Sequence, residues 1–254
     1  ARVAQLEGQG GLLLSFAGVA APARGRLQHD LSLHDRPPEL RPEDGTRLID
    51  LPAVVLDGET TGLDVARDRL VSIAGVRMHG TGLYRHLAFD RMVNPGVPIP
   101  RASTAVHGIS DRMVERAPAA GQVLPELADF IGDAVVVGHN IGFDLALLAA
   151  EAGRAGLAWR QPRALDTGHL AAALDPGLTD LNLDTLADRY SVRVEGRHTA
   201  LGDCLLTAAV WRRLLRELEG AGVVTLAEAE AFGRRAERLV GLQRQAGWVV
   251  PPKS

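Results

Sequence analysis

Val54-Val-Leu-Asp-Gly-Glu-Thr-Thr-Gly-Leu-Asp64 sets two acids one residue apart, directly after an apolar and partly β-branched run. Side chains on a strand repeat with period two, so Asp57 and Glu59 project from one face, about 6 to 7 Å apart along the chain. Two like charges held that close repel unless something cationic sits between them. The stretch therefore reads as a core strand whose end carries paired carboxylates.

Similar short runs follow it. PAVVLD at 52–57, RLVSIAGVRM at 69–78 and YRHLAFDRMV at 84–93, with HGTG at 79–82 as a tight turn, predict an antiparallel meander. Beyond NPGVPIP at 94–100 the hydrophobic period lengthens. Segments 121–132, 143–153, 182–190 and 200–219 read as helices, interrupted by the strand candidates AVVVG at 134–138 and RALD at 163–166. A meander followed by β-α alternation predicts a mixed sheet with helices packed on it. A polar, Arg-rich helix at about 225–245 closes the chain. Residues 1–47 hold a Gly-rich start and the loop-like DRPPELRPEDGT of 35–46, and read as an N-terminal extension or linker. The main domain is then 48–222, with 223–254 as a C-terminal helical tail.

Composition narrows the class. A chain of 254 residues, 46% hydrophobic, is long enough to bury a substantial core. Lys plus Arg is 28 against 31 Asp plus Glu, a net charge of -3, so a polyanionic partner must be met by local cations. The single cysteine, Cys204, excludes an internal disulfide and fits a reducing compartment, the cytoplasm. The longest apolar run, around Leu12–Phe16, is too short to span a bilayer, so no membrane association is expected. The glycines at 8–11 are followed by no GK[ST] and form no phosphate loop.

Two further acids complete the pattern. Asp144, in Gly138-His-Asn-Ile-Gly-Phe-Asp144, follows the strand AVVVG and falls near a helix N-terminus, where the helix dipole favours a carboxylate. His198-Thr-Ala-Leu-Gly-Asp203 opens the long helix. A spacing of five turns about 140° on a helix, so His198 and Asp203 converge only if the histidine precedes the first turn, with Thr199 as cap.

Asp57-Gly-Glu59-Thr-Thr-Gly62, Asp144 within GHNIGFD, and His198 five residues before Asp203 resemble the three motifs of the DEDDh 3′-to-5′ exonucleases, nearest in appearance to the proofreading (epsilon) subunit of bacterial DNA polymerase III. The likeness runs from about Pro52 to Leu215 and includes Asn94-Pro95, Ile99-Pro100, Val106-His-Gly-Ile-Ser110 and Asp166-Thr167. It implies a ribonuclease H-like α/β fold with a mixed five-stranded sheet flanked by helices. The implied cofactors are two Mg²⁺ or Mn²⁺ ions, Asp57 bridging both, Glu59 and Asp203 completing the first site and Asp144 supporting the second. His198 would take the proton from the attacking water, giving nucleoside 5′-monophosphates as products. Backbone groups of Thr60, Thr61 and Gly62, with Leu63 as a wedge and His107 beside the nucleotide, would hold the 3′ terminus. The implied substrate is nucleic acid with a free 3′ end, DNA before RNA, as in proofreading or repair, with a DNA polymerase or a fused domain as partner. RNA trimming of the oligoribonuclease or ribonuclease T type, and an inactive nucleic-acid-binding module, are the alternatives.

Residues outside the motifs have plainer readings. His139 is expected to fix the loop before Asp144, and Cys204 to be a small helix-face residue. Arg193 and Arg197 are candidates for phosphate contact, whereas Arg234, Arg235, Arg238 and Arg244 read as a solvated helix face. Gln9-Gly-Gly-Leu12-Leu-Leu14 and Gln28-His-Asp-Leu31-Ser-Leu33 fit a loose Q-x-x-L-x-L pattern resembling sliding-clamp peptides.

Overall fold

The computed structural model describes residues 37–38, 40–193 and 196–248; the two Q-x-x-L-x-L strings lie outside them. β1 (Pro52–Thr60), β2 (Leu70–His79) and β3 (Gly82–Met92) form the predicted antiparallel meander. β4 (Val135–Gly138) joins the other edge of β1 in parallel, and β5 (Ala164–Asp166) extends the sheet, also in parallel. The order is β3-β2-β1-β4-β5, so the strand that carries Asp57 and Glu59 lies in the middle.

Alternation along β1 divides the core into two layers. Val54 and Leu56 pack with Ile73, Leu127 and Leu148 beneath α3 (Ala120–Ile131) and α4 (Ile141–Arg154). Ala53 and Val55 pack on the opposite face with Val76, Leu186, Trp211 and Leu214. That face is covered by α5 (Thr167–Leu174), α6 (Leu183–Arg189), α7 (Ala200–Gly220) and α8 (Leu226–Gly233). Because both faces are buried, β1 and β4 read as continuous apolar runs, as expected for strands inside a three-layer α/β fold.

The structure adds elements that the sequence pattern does not show. α1 (Arg101–His107) and α2 (Asp111–Val114) are too short for a hydrophobic period to register. α5 starts directly after β5 and uses Asp166 as its cap, with Oδ1 accepting from the amides of Gly168 at 2.9 Å and His169 at 3.4 Å. The closing helix is two helices, α8 and α9 (Glu237–Gln245), separated at Arg234–Ala236. Ala236 is buried at the junction and breaks the helical φ/ψ at ψ 54. No helix among the described residues is long and apolar enough to cross a membrane.

Segment 44–48 is tied to the start of α8 by main-chain bonds. Leu48 donates to the Val224 carbonyl at 2.8 Å, Leu226 to that of Thr46 at 2.9 Å, and Ala227 to that of Asp44 at 3.1 Å. Each such bond contributes about 0.5–1.5 kcal/mol. A chain beginning at Leu48 is therefore expected to melt several degrees below one beginning at Arg41, by differential scanning calorimetry. Equal melting temperatures would show that these contacts carry no stability.

Candidate active site

The face of β1 that buries Ala53 and Val55 continues to Asp57 and Glu59, which emerge half-buried at the strand's C-terminal end. A register irregularity between Glu59 and Thr60 ends the regular pairing with β2 at this point. α7 delivers Asp203 from its first turn, 8% exposed. One carboxylate oxygen each from Asp57, Glu59 and Asp203 lie within 4.8 Å of one another. Asp144 enters from the first turn of α4 on the other side of the strand, 7% exposed. Gly58 leaves room for it, since a Cβ there would stand 3.2 Å from Asp144 Oδ1. The four acids thus come from one strand end and two helix N-termini, as the spacing predicts.

Their proximity shows in their acidities. Burial raises the Asp57 carboxyl well above the usual range, and Asp144, Asp203 and Glu59 raise it further against the opposing charge of Arg197. Glu59 is pushed up to about 7, by burial first and by Asp203 second. Asp144 is pushed up to about 8, again mainly by burial, with its hydrogen bonds to the backbone opposing. All the donors are hard carboxylate oxygens, the set that suits magnesium, manganese or calcium better than zinc. Asp57, Glu59 and Asp203 could hold such an ion, which would relieve the repulsion that keeps protons on the cluster.

Arg197 is the cation beside these acids. Its Nη1 donates to Asp203 Oδ1, while Nε and Nη2 each donate to the carboxylate of Asp184 in α6 at 2.7 Å. The bonds to Asp184 raise its pKa most, against burial, and those to Asp203 add to them. Sequence reasoning makes Arg197 a candidate for phosphate contact and does not reveal this pairing, because partners 13 and 6 residues away on different elements leave no periodic trace. His198 lies outside the close acidic trio. It is exposed, with a left-handed backbone at φ 61, and its ring is near Asp184. Thr199 caps α7 as predicted, its Oγ1 accepting from Gly202 N at 3.1 Å. Gly202 is needed there, since a Cβ would overlap the Gly196 carbonyl oxygen.

The remaining candidates line the loop after β1. Thr60 and Thr61 are buried, and their hydroxyls are engaged within the loop: Thr60 Oγ1 donates to Gly62 O at 2.6 Å, Thr61 Oγ1 to Asp68 Oδ1 at 2.8 Å. Leu63 stands 68% exposed at the tip. His107 ends α1 and is buried; its Nδ1 accepts from Ile109 N at 3.0 Å. Burial lowers its pKa, with the backbone of Thr60 opposing.

A polar network lies behind Asp144. His139 Nδ1 bonds Thr167 Oγ1 at 3.0 Å, and Asn140 N donates to Asp166 Oδ1 at 3.2 Å. Gln243 of α9, 2% exposed, donates to Asn140 Oδ1 at 3.0 Å and accepts from His169 Nε2 at 2.9 Å. His139 therefore braces the loop, as its position suggested. Gln243 was not legible, being 103 residues from Asn140. Cys204 is buried and donates to the Ala74 carbonyl at 3.2 Å. Arg193 and the tail residues Arg234, Arg235, Arg238 and Arg244 are exposed, and Arg235 lies over the Phe232 ring, 5.0 Å from its centroid.

The raised pKa values fix a pH dependence. A carboxylate whose pKa is higher folded than unfolded stabilises the fold below its unfolded pKa and loses that contribution as pH rises through the folded value. For Glu59 and Asp144 this window runs from the ordinary carboxylate range to about 7 and about 8. In chelator, the protein is expected to lose melting temperature between pH 5 and 8, and Asp57→Asn to lose less and exceed the native chain at pH 8. A native chain that is the more stable at pH 8 in chelator would contradict the repulsion.

A family model described as Exonuclease matches residues 54–211, the span that holds Asp57, Glu59, Asp144, His198 and Asp203. The DNA polymerase III subunit epsilon-like protein of Rhodobacter capsulatus is 41% identical over 196 residues, which are 74% of this chain and 28% of that protein. The DNA polymerase III subunit epsilon of Aquifex aeolicus is 35% identical over 172 residues, 67% of this chain and 84% of that protein. Among solved structures, exonuclease X in complex with 5′ overhanging duplex DNA is similar with a TM-score of 0.57 and 25% identity, over 71% of this chain and 99% of that one. The chain thus spans most of the Aquifex relative but only 28% of the Rhodobacter one. With its mixed five-stranded, ribonuclease H-like sheet and its acidic cluster, the chain carries an exonuclease domain and belongs to this exonuclease family.

Proposed function

We propose that this domain is a divalent-metal-dependent 3′-to-5′ exonuclease that removes nucleotides from the 3′ end of single-stranded DNA. The observation that carries the reading is the convergence of Asp57, Glu59, Asp144 and Asp203 at the ends of β1, α4 and α7. Asp57, Glu59 and Asp203 would hold one Mg²⁺ or Mn²⁺, and Asp144 with Asp57 a second. Such ions, when bound, neutralise the phosphodiester and make a nucleophile of water near neutral pH.

The chain's own groups perform the rest. His198 accepts the proton as water attacks phosphorus, and the bond from phosphorus to the 3′ oxygen of the preceding nucleotide breaks. That oxygen takes up a proton, leaving a new 3′ hydroxyl and a nucleoside 5′-monophosphate. What supports this role is the position of His198 directly before α7, the helix that carries Asp203 in its first turn. The hydroxyls of Thr60 and Thr61 are taken up within the loop, so the grip on the terminal nucleotide falls to the main chain of Thr60–Gly62 not engaged by Thr60, Arg69 or Ser103, and to Leu63 and His107. DNA is favoured over RNA because the Aquifex relative is a DNA polymerase subunit and exonuclease X was solved with DNA.

The catalytic residues of this reading all fall within 48–222, with 1–47 as an extension and 223–254 as a helical tail; the end of that extension and α8 of that tail pack onto the same sheet domain. A polymerase or a fused domain is the expected partner, and the cytoplasm the expected location.

The test is a digestion panel of DNA and RNA oligomers, single-stranded, paired and mismatched at the 3′ end, with Mg²⁺ or Mn²⁺. The expected result is stepwise release of 5′-mononucleotides from the 3′ end, fastest on unpaired DNA, and none with chelator or with Asp57→Asn. His198→Ala is expected to lower the single-turnover rate about 10²- to 10⁴-fold, the range of lost general-base catalysis. Its metal-induced rise in melting temperature should persist. A His198→Ala rate within about threefold of native would remove the general-base role, and cleavage without metal would remove the mechanism.

A further inference from the structure

Arg154, in the last turn of α4, reaches over the loop that joins β1 to β2. Its Nη1 donates to the Asp68 carbonyl at 3.1 Å, and its Nη2 to the carbonyls of Val65 at 3.1 Å and Ala66 at 2.8 Å. The same Nη1 donates to Glu151 Oε1 at 3.1 Å. Glu151 is buried, its side chain 1% exposed, and is also gripped by Arg69, Nε to Oε1 at 2.7 Å and Nη2 to Oε2 at 3.1 Å. The Leu70 amide adds a bond at 3.3 Å. A guanidinium presents its donors in a fixed plane, so three carbonyls that converge on one such plane are held in a single arrangement.

The loop is also fastened from within. Asp68 accepts from Thr61 Oγ1 at 2.8 Å and from the Asp64 amide at 2.9 Å, and Gly62 lies so close to that carboxylate that a Cβ would overlap it. Ser103 Oγ of α1 donates to the Thr61 carbonyl at 2.7 Å. Leu63 is thus an exposed leucine, 68% accessible, on a loop tied down on both sides. An apolar side chain held rigidly in water gains nothing for folding, whereas one held rigidly beside a substrate is preorganised for contact. α4 links the two parts of the site, because it carries Asp144 in its first turn and Glu151 and Arg154 further along.

We infer that Arg154 is a positioning residue, which sets the loop Thr61–Asp68, and Leu63 at its tip, at the distance from the carboxylates that seats the 3′-terminal nucleotide. The inference rests on the reading of Thr60–Leu63 as the grip on the nucleic acid. The bonds of Arg154 go to Glu151 and to the carbonyls of Val65, Ala66 and Asp68, not to Asp57, Glu59, Asp144 or Asp203. Its loss leaves Glu151 paired with Arg69 and the Leu70 amide, so the fold keeps its buried charge compensated.

The experiment compares Arg154→Met, Arg154→Lys and Leu63→Ala with the native chain, well below all melting temperatures. It reads amide hydrogen exchange across 61–68 and steady-state digestion of a single-stranded DNA oligomer with Mn²⁺. In Arg154→Met, exchange should accelerate in this loop alone, and KM should rise about tenfold with kcat within about threefold, the signature of lost binding rather than lost chemistry. Arg154→Lys should recover part of the KM, since one ammonium can serve some of the carbonyls but not in the planar arrangement. Leu63→Ala should raise KM while leaving exchange at the loop base unchanged. Native exchange and native KM in Arg154→Met would overturn the inference. Faster exchange in Arg154→Met with native KM in both it and Leu63→Ala would overturn the reading of the loop as the grip, and the inference with it. A native chain that digests no oligomer would instead overturn the exonuclease reading.

Discussion

Mutual repulsion among Asp57, Glu59, Asp144 and Asp203 is the constraint on which the rest of this structure depends. Such a cluster is unfavourable unless its members are held by elements too well packed to move apart. Asp57 and Glu59 end the central strand of the sheet, hydrogen-bonded on one side to β2 and flanked on the other by β4. Asp144 and Asp203 each fall in the first turn of a long helix, where the peptide dipoles partly offset their charge. Behind the acids stand fully buried side chains such as Leu56, Leu148 and Trp211, whose packing opposes any relaxation.

The surroundings meet the excess negative charge in two ways. Protons stay on Glu59 and Asp144 toward neutral pH, and Arg197 places a guanidinium on Asp203 while anchored by Asp184. Both responses are reversible, so a divalent cation can take over the role without rearrangement of the sheet. The polar relay from Gln243 through Asn140 and Asp166 keeps the loop before α4 in its left-handed turn, Asn140 having φ 54. The C-terminal helix α9 therefore supports the same end of the sheet that carries the acids.

Much of this was legible in the sequence, for identifiable reasons. Period-two and period-3.6 patterns located all five strands and the helices α3, α4, α6 and α7, because each buries a continuous face. The placement of the acids was legible because two of them share a strand face one residue apart and the others sit at helix starts, whereas their grouping into one site came from the likeness to the exonuclease motifs. α1 and α2 were not, being too short to show a period, nor was α5, whose start is set by an Asp166 cap that belongs to the preceding strand. The pairs Arg197–Asp184, Gln243–Asn140 and Arg154–Val65 join residues on different elements, and no spacing rule encodes such contacts. The exposed, left-handed setting of His198 was likewise hidden, since its sequence position fixes only that it precedes α7.

The most direct test of the central claim is calorimetric titration of the protein with Mn²⁺ at neutral pH, in buffers of different ionisation enthalpy. If the four acids form a cation site that otherwise retains protons, Mn²⁺ must bind saturably and release protons to the buffer, and Asp57→Asn must weaken the binding. Saturable binding with no dependence on the buffer, or binding that survives unchanged in Asp57→Asn, would contradict the account.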